Sequence, residues 1–459
     1  MPDRGDAHWR SRSQNQINRW IARLESINPT GLEGVVADTI GLTIAAADFP
    51  AALGASARIQ AAQPLDAEVI GFRDNLTLLS PLGDTSGLRR GDRVQLTSDA
   101  ASVPVGEQLL GRVLDARGRA ADGEPLPSML DRAPLFRRPP RMIDRPPIDQ
   151  PMATGVRSVD ALLTCGRGQR LGVFAGPGVG KSTLLGMIAR NAAADVVVVA
   201  LIGERGREVR DFVDRRLETE GMRRSVVVAA CSDEPAPLRI RAAFTATAVA
   251  EYFRDQGANV LLVMDSITRL AQAQREIGLA AGEPPTVRGY PPSVFALLPK
   301  LVERAGRAGD GSITAFYSGL VEGDPQTDVV SEAVKSVLDG HLLLSEDLAS
   351  AGVLPAVDVL DSVSRCMPDL VSDEHQRAAT DFRSMLSFHR EHRDLLAVGA
   401  YRSGGDWKAD AAVALRDQAL DFLRQDVHQP TNFESSRSQL LDLAERRRRF
   451  EQEHKGSRS

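Results

Sequence analysis

Cysteine is scarce: the 459 residues hold three, Cys165, Cys231 and Cys366. They lie far apart and form no Cys-x-x-Cys pair, so neither a disulfide framework nor a zinc site is suggested. Three reduced thiols in a cytosolic protein are the expectation. No run approaches the roughly 18–20 apolar residues that a membrane helix requires. The N-terminal stretch MPDRGDAHWRSRSQNQ lacks the apolar segment of a signal peptide. A cytoplasmic protein, at most peripheral to a membrane, follows as an expectation. Positive charge is not in excess either. The net charge of −5 argues against a global nucleic-acid footprint and leaves room only for a local basic patch. Internal repeats and low-complexity tracts are missing too.

What is present is ordinary globular composition, 42% hydrophobic and 25% charged, on a chain long enough for two to four domains. Ile17, Trp20, Ile21, Leu24 and Ile27 recur at helical spacing, one apolar stripe that Asn28-Pro29 ends. Residues 1–29 therefore read as an N-terminal amphipathic helix that either packs on its own domain or docks a partner. From 30 to 100 the pattern changes to short β segments with turn punctuation: VVADTIGLTI, ASARIQ, AEVIGF, LTLLSPL and DRVQLT. Such spacing predicts a small antiparallel barrel or sandwich. Residues 101–154 read as a connector, Gly- and Pro-rich and extended toward its end, where PLFRRPPRMIDRPPIDQP disfavours helix.

Between 155 and 370 the apolar runs RLGVFAG, VVVVALIG, SVVVAAC, NVLLVMDS and SITAFYSG alternate with helical patterns. Continuous rather than alternating apolar runs predict strands buried on both faces of a parallel sheet, an α/β fold. From 371 to 459 helical segments take over, ending in a charged tail.

The first of those runs leads into GPGVGKST and a helical stretch, the strand–loop–helix context of a phosphate-binding loop. Ala175 takes the place of the usual first glycine. Gly176, Pro177, Gly178, Val179, Gly180, Lys181, Ser182 and Thr183 form the expected nucleotide cradle. The glycines let successive N–H groups face a phosphate, Lys181 reaches the β- and γ-phosphates, and the Ser182 hydroxyl ligates Mg²⁺. Asp265, ending the apolar run NVLLVMD, is the expected second metal residue, direct or through water. The run VVVVALIG ends on Glu204-Arg205. In an open parallel sheet, ligands bind beyond the carboxyl ends of the strands. Glu204 is thus placed to orient and polarise a water attacking the γ-phosphate, and Arg205 to balance transition-state charge.

A further stretch, PAVDVLDSVSR from Pro355 to Arg365, carries Pro-Ala-Val-Asp and Ser-x-Ser followed by arginine. With Gly-Glu-Arg and the phosphate loop, it resembles the rotary ATPase α/β superfamily over residues 30 to 425. That resemblance implies a RecA-like ATPase domain at 155–370, with the barrel before it and the helical domain after it. It also implies Mg²⁺ with ATP as substrate, and an arginine finger, Arg365, reaching a neighbouring subunit's site. DSITRLAQAQREIGLAAGEPPTVRGYPPSVFALLPKLVERAG, residues 265–306, is most similar to the type III export branch. The resemblance therefore implies a homohexameric export ATPase, flagellar in this reading with injectisome use as the alternative, and the charge balance leaves nucleic acid out of the expected partners. Its implied partners are a peripheral-stalk regulator on the N-terminal helix, a central-stalk coiled coil, the export gate and substrate–chaperone complexes.

Two residues depart from the family pattern. Leu354 stands where relatives present an aromatic to stack on adenine, which lowers the expected affinity or base selectivity. Glu346 stands where relatives often carry arginine. Competing readings are a non-catalytic nucleotide-binding subunit, which would lack Glu204, and a proton-translocating catalytic subunit. An RNA translocase would want aromatic and basic residues that 30–100 lacks, with Phe49 and Phe72 its only aromatics.

Overall fold

Six short strands, most of them with alternating burial, close the first domain into a barrel, as a computed structural model describing residues 31–321, 328–401 and 407–456 shows. The helix expected at residues 17–27 lies outside the described residues. The strands are β1 (Glu33–Ile40), β2 (Thr43–Ala47), β3 (Ser56–Ile59), β4 (Leu65–Arg73), β5 (Leu76–Pro81) and β6 (Arg93–Ser98), in the closed order β1-β2-β5-β4-β3-β6. Of the two expected forms, barrel or sandwich, this is the barrel. Val36, Ile44, Ile59, Val69, Leu79 and Val94 fill its interior. VVADTIGLTI, expected as one segment, is a hairpin, because Gly41 at φ 60° reverses the chain and brings β2 back on β1.

The connector is more structured than its composition predicts. β7 (Ser102–Val105) pairs with β9 (Asp131–Pro134) in an antiparallel ribbon, and β8 (Val113–Leu114) adds a parallel edge to the main sheet. Val103, Val105 and Leu114 are buried, too few and too dispersed to show a period.

The five apolar runs become β10 (Arg170–Ala175), β11 (Val196–Glu204), β12 (Ser225–Cys231), β13 (Asn259–Asp265) and β15 (Gly311–Leu320). The short β14 (Gly306–Ala308) hangs antiparallel on β15. Two strands not expected from the sequence, β16 (Gly340–Leu344) and β17 (Val357–Ser364), extend the sheet to the order β17-β16-β10-β15-β13-β11-β12-β8. All the pairs in that path are parallel except β16–β17. Along β11, Val197, Val199 and Leu201 enter one hydrophobic core while Val196, Val198, Ala200 and Ile202 enter another. Apolar residues on both faces are what the uninterrupted run encodes.

The two faces are covered by helices that connect consecutive strands, and the helices Asp373–Glu391, Trp407–Ala414, Arg416–Leu423 and Phe433–Gly456 form the last layer. Two buried ion pairs tie the parts together. Arg241 of the helix Ala236–Asp255 meets Glu68 of β4 at 2.7 Å, joining the barrel to the helical layer on the sheet. Arg304 holds Glu251 at 2.9 and 2.6 Å and donates its third bond to the Leu135 carbonyl of the connector. Arg390, on the C-terminal helical layer, clamps Asp358 and Asp361 of β17.

Candidate active site

Parallel strands deliver their last residues to one edge, and here that edge collects the phosphate loop, Asp265 and Glu204. β10 ends at Ala175, the loop runs from Gly176 to Gly180, and the helix Lys181–Asn191 follows. Gly178 and Gly180 have φ of 80° and 103°, a region that residues with a Cβ rarely enter. Val179 is buried and pins the loop, while Pro177, Gly178 and Ser182 stay exposed. Lys181, Ser182 and Thr183 occupy the first helical turn, where unpaired N–H groups face outward as an anion site.

Lys181 Nζ lies 2.5 Å from Asp265 Oδ1 and 3.4 Å from Ser318 Oγ, and Ser318 Oγ donates to the same Asp265 oxygen at 2.5 Å. Both bonds fall on Oδ1, which leaves Oδ2 for another ligand. Ser182 and Asp265 supply two oxygen donors. Among the described residues no cluster of three or more His, Cys, Asp or Glu could hold a metal by itself. Such a sparse oxygen set fits Mg²⁺, which keeps several waters and takes the rest of its shell from substrate phosphates.

Glu204 reaches the edge through a local irregularity. Gly203 at φ 68° shifts the β11–β12 register between Ile202 and Glu204. Glu204 Oε1 is buried with no hydrogen-bond partner. Burial, then the Asp265 charge, then the Glu208 carboxylate push the Glu204 carboxyl up to about 8, against the pull of Lys181. In the nucleotide-free protein at neutral pH it is therefore largely protonated and hydrogen-bonded to Glu208, whose own value is held low mainly by that bond. Arg205 is exposed; its backbone N–H donates to Glu208 Oε2 and its charge acts on that carboxylate.

The remaining expected residues separate by edge. β17 runs antiparallel to β16, so Pro355 and its neighbour Leu354 lie at the loop's edge of the sheet while Ser364 pairs with Gly340 at the opposite edge. Leu354 is 49% exposed, and its carbonyl accepts from the Gln425 N–H. Glu346 flanks the phosphate loop: a Cβ on Gly176 would stand 2.5 Å from its Oε1. Arg365 is exposed, and its N–H donates to the Asp339 carbonyl, while the Asp339 carboxylate grips Arg170 at the start of β10. The length of β10 separates that end from the loop, about 17 Å at roughly 3.3 Å per residue. Arg365 does not join the phosphate loop of its own chain.

Three residues at this edge were not singled out from the sequence: Ser318, Glu208 and Arg269. Arg269 lies against Gly203 and acts on Glu208. Ser318 carried one legible signal, a small hydroxyl residue near the carboxyl end of a buried strand.

Residues 155–364 match the ATP synthase alpha/beta family nucleotide-binding domain, and 39–98 its beta-barrel domain. Residues 371–442 match the T3SS EscN ATPase C-terminal domain. The chain is 47% identical to the flagellum-specific ATP synthase of Bacillus subtilis (strain 168), covering 89% of this chain and 94% of that protein. It is 51% identical to a type 3 secretion system ATPase of Sinorhizobium fredii, over 81% and 82%. The structure superposes, at a TM-score of 0.83 and 43% identity, on assembled EscN in complex with its central stalk EscO from the enteropathogenic E. coli type III secretion system. That likeness covers 89% of this chain and 99% of the other.

Proposed function

The chain belongs to the ATP synthase alpha/beta family, in its type III export branch, and from that membership we propose a Mg²⁺-dependent ATP hydrolase, working as a homohexamer, that energises flagellar protein export. The observation that carries the reading is the convergence of the phosphate loop, the Lys181–Asp265 pair and an unpartnered Glu204 oxygen at one sheet edge.

The loop N–H groups bind and orient the triphosphate, and Lys181 exchanges Asp265 for the β- and γ-phosphate oxygens. Ser182 and Asp265 would hold Mg²⁺, which when bound would neutralise the developing phosphate charge. Glu204, once ionised, orients the attacking water and accepts its proton. Arg365, remote from its own loop, enters a neighbour's site as the finger. One chain that carries all these groups can complete a ring of identical copies. Arg205 contributes by holding the Glu208 side of the Glu204 pair.

The flagellar assignment is supported by the match to the flagellar relative extending over more of both chains than the match to the secretion relative. Injectisome use is the second reading, because identity to that relative is higher, 51% against 47%. The N-terminal helix as dock for a peripheral-stalk regulator, a central-stalk coiled coil as axle, and contact with the export gate and substrate–chaperone complexes belong to the same proposal. So does a cytoplasmic place beside the inner membrane; among the described residues no helix is long and apolar enough to cross one. The test is Mg²⁺-ATP hydrolysis per subunit against protein concentration. Specific activity should climb steeply as subunits assemble. A flat, appreciable activity down to concentrations where sizing shows monomer would contradict the ring. Complementation of flagellar and injectisome export mutants then separates the two uses.

A further inference from the structure

We propose that Ser318 is a positioning residue for the metal: it holds the Asp265 carboxylate in place, with Oδ2 toward the Mg²⁺ site, when Lys181 leaves for the nucleotide. The inference rests on the proposed hydrolase site and adds to it a residue that the phosphate-loop and acidic-strand motifs do not contain.

The backbone fixes the arrangement. β15 lies between β10, which feeds the phosphate loop, and β13, which ends in Asp265. In register, Ser318 stands beside Val173 of β10, and Tyr317 stands beside Met264, the residue before Asp265. Ser318 is therefore the position on the middle strand from which a short side chain meets both functional groups. Its hydroxyl is fully buried, and Asp265 is 3% exposed. The hydroxyl donates to Asp265 Oδ1 at 2.5 Å and accepts from Lys181 Nζ at 3.4 Å.

Lys181 has two tasks that exclude each other. In the nucleotide-free site it neutralises Asp265; in the loaded site it serves phosphate. A buried carboxylate that loses its only donor has nothing left to fix its orientation. Because Ser318 shares the same oxygen, Oδ1 keeps a donor throughout and the free oxygen keeps its direction. Hydrogen-bond partners behind a metal-ligating carboxylate typically change metal affinity or activity by about 10–100-fold when removed.

The experiment titrates Mg²⁺ into full-length protein with a fluorescent ADP analogue, in wild type, Ser318→Ala, Ser318→Thr and Asp265→Asn, alongside thermal unfolding. Ser318→Ala should raise the Mg²⁺ concentration for half-maximal tightening by about 10-fold. Its binding of the analogue in EDTA and its unfolding midpoint should stay near wild type, and Ser318→Thr should restore the Mg²⁺ curve. Asp265→Asn should flatten that curve. An unchanged Mg²⁺ curve in Ser318→Ala overturns the proposal. So does an equal loss of binding with and without Mg²⁺, which marks Ser318 as ordinary packing. If wild-type binding ignores Mg²⁺ altogether, the metal reading of the site fails first and takes the Ser318 role with it.

Discussion

Two buried cation–carboxylate pairs in this protein have nearly the same separation, 2.6 and 2.5 Å, and do opposite things. Arg304 and Glu251 are 1% and 3% exposed, and a planar fork meets two oxygens while its third arm meets the Leu135 carbonyl. Both Glu251 oxygens and all three guanidinium nitrogens are engaged, so the pair ties the connector to the helix Ala236–Asp255. The side chains of Lys181 and Asp265 are 10% and 4% exposed, joined through one carboxylate oxygen, and Asp265 Oδ2 is spare. The lysine stem rotates, its charge is a point rather than a fork, and the site opens at the carboxyl edge. The difference is that a satisfied pair is structure, whereas an under-satisfied pair at a ligand edge is machinery waiting for its third member.

The sharpest way to test that contrast is to remove a group that only assembly brings to the lysine. Arg365→Ala should lower turnover by about 10³-fold or more, in the range of arginine fingers, with the folded state and Mg²⁺-ADP binding intact. Steady-state rates beside an unfolding curve check it, and an unchanged rate moves the finger elsewhere.

Next comes Glu204→Gln, expected to cut kcat by about 10²–10⁴-fold, the scale of general-base catalysis, while nucleotide still binds. In the wild type, kcat/KM should rise with pH and level off above about 8, because the free enzyme's Glu204 carries its proton below that value. The variant should lose this limb, and a wild-type profile in the variant would remove Glu204 from the chemistry.

On the structural side, Glu251→Ala should lower unfolding free energy by about 3–5 kcal/mol by leaving Arg304 buried and uncompensated. Asp265→Asn should cost visibly less in the same denaturant titration, yet abolish turnover. Equal losses of stability would erase the distinction between the two pairs.

The smallest effect concerns the nucleotide's base. Leu354→Tyr supplies a ring at the loop's edge and should tighten ADP binding by about 1–3 kcal/mol, the range for base stacking on aromatics. Unchanged affinity, measured by calorimetry, would place the base away from residue 354.

What was legible in the sequence follows the same division. The phosphate loop, Asp265 and the central strands announce themselves because glycine spacing and uninterrupted apolar runs are local patterns. β16 and β17 went unseen as strands because they lie toward one edge of the sheet, where burial is partial and Asp358, Asp361 and Ser362 interrupt the apolar run. The β7–β9 ribbon was hidden by proline and by pairing across a long loop. Ser318 and Arg269 were unread for a different reason: their roles depend on which strand or helix lies beside them, and sheet order is not written locally. The contact of Glu346 with the phosphate loop is likewise visible only in three dimensions.

The measurement that tests the account most directly mixes two inactive variants. Glu204→Gln keeps its finger and lacks a working base; Arg365→Ala keeps its base and offers no finger. If each site is built from two subunits, co-assembly creates interfaces with both groups, and hydrolysis should return well above that of either variant alone. If Arg365 serves its own chain, every site in the mixture lacks one group and activity stays at the level of the separate variants, which would contradict a site shared between neighbours.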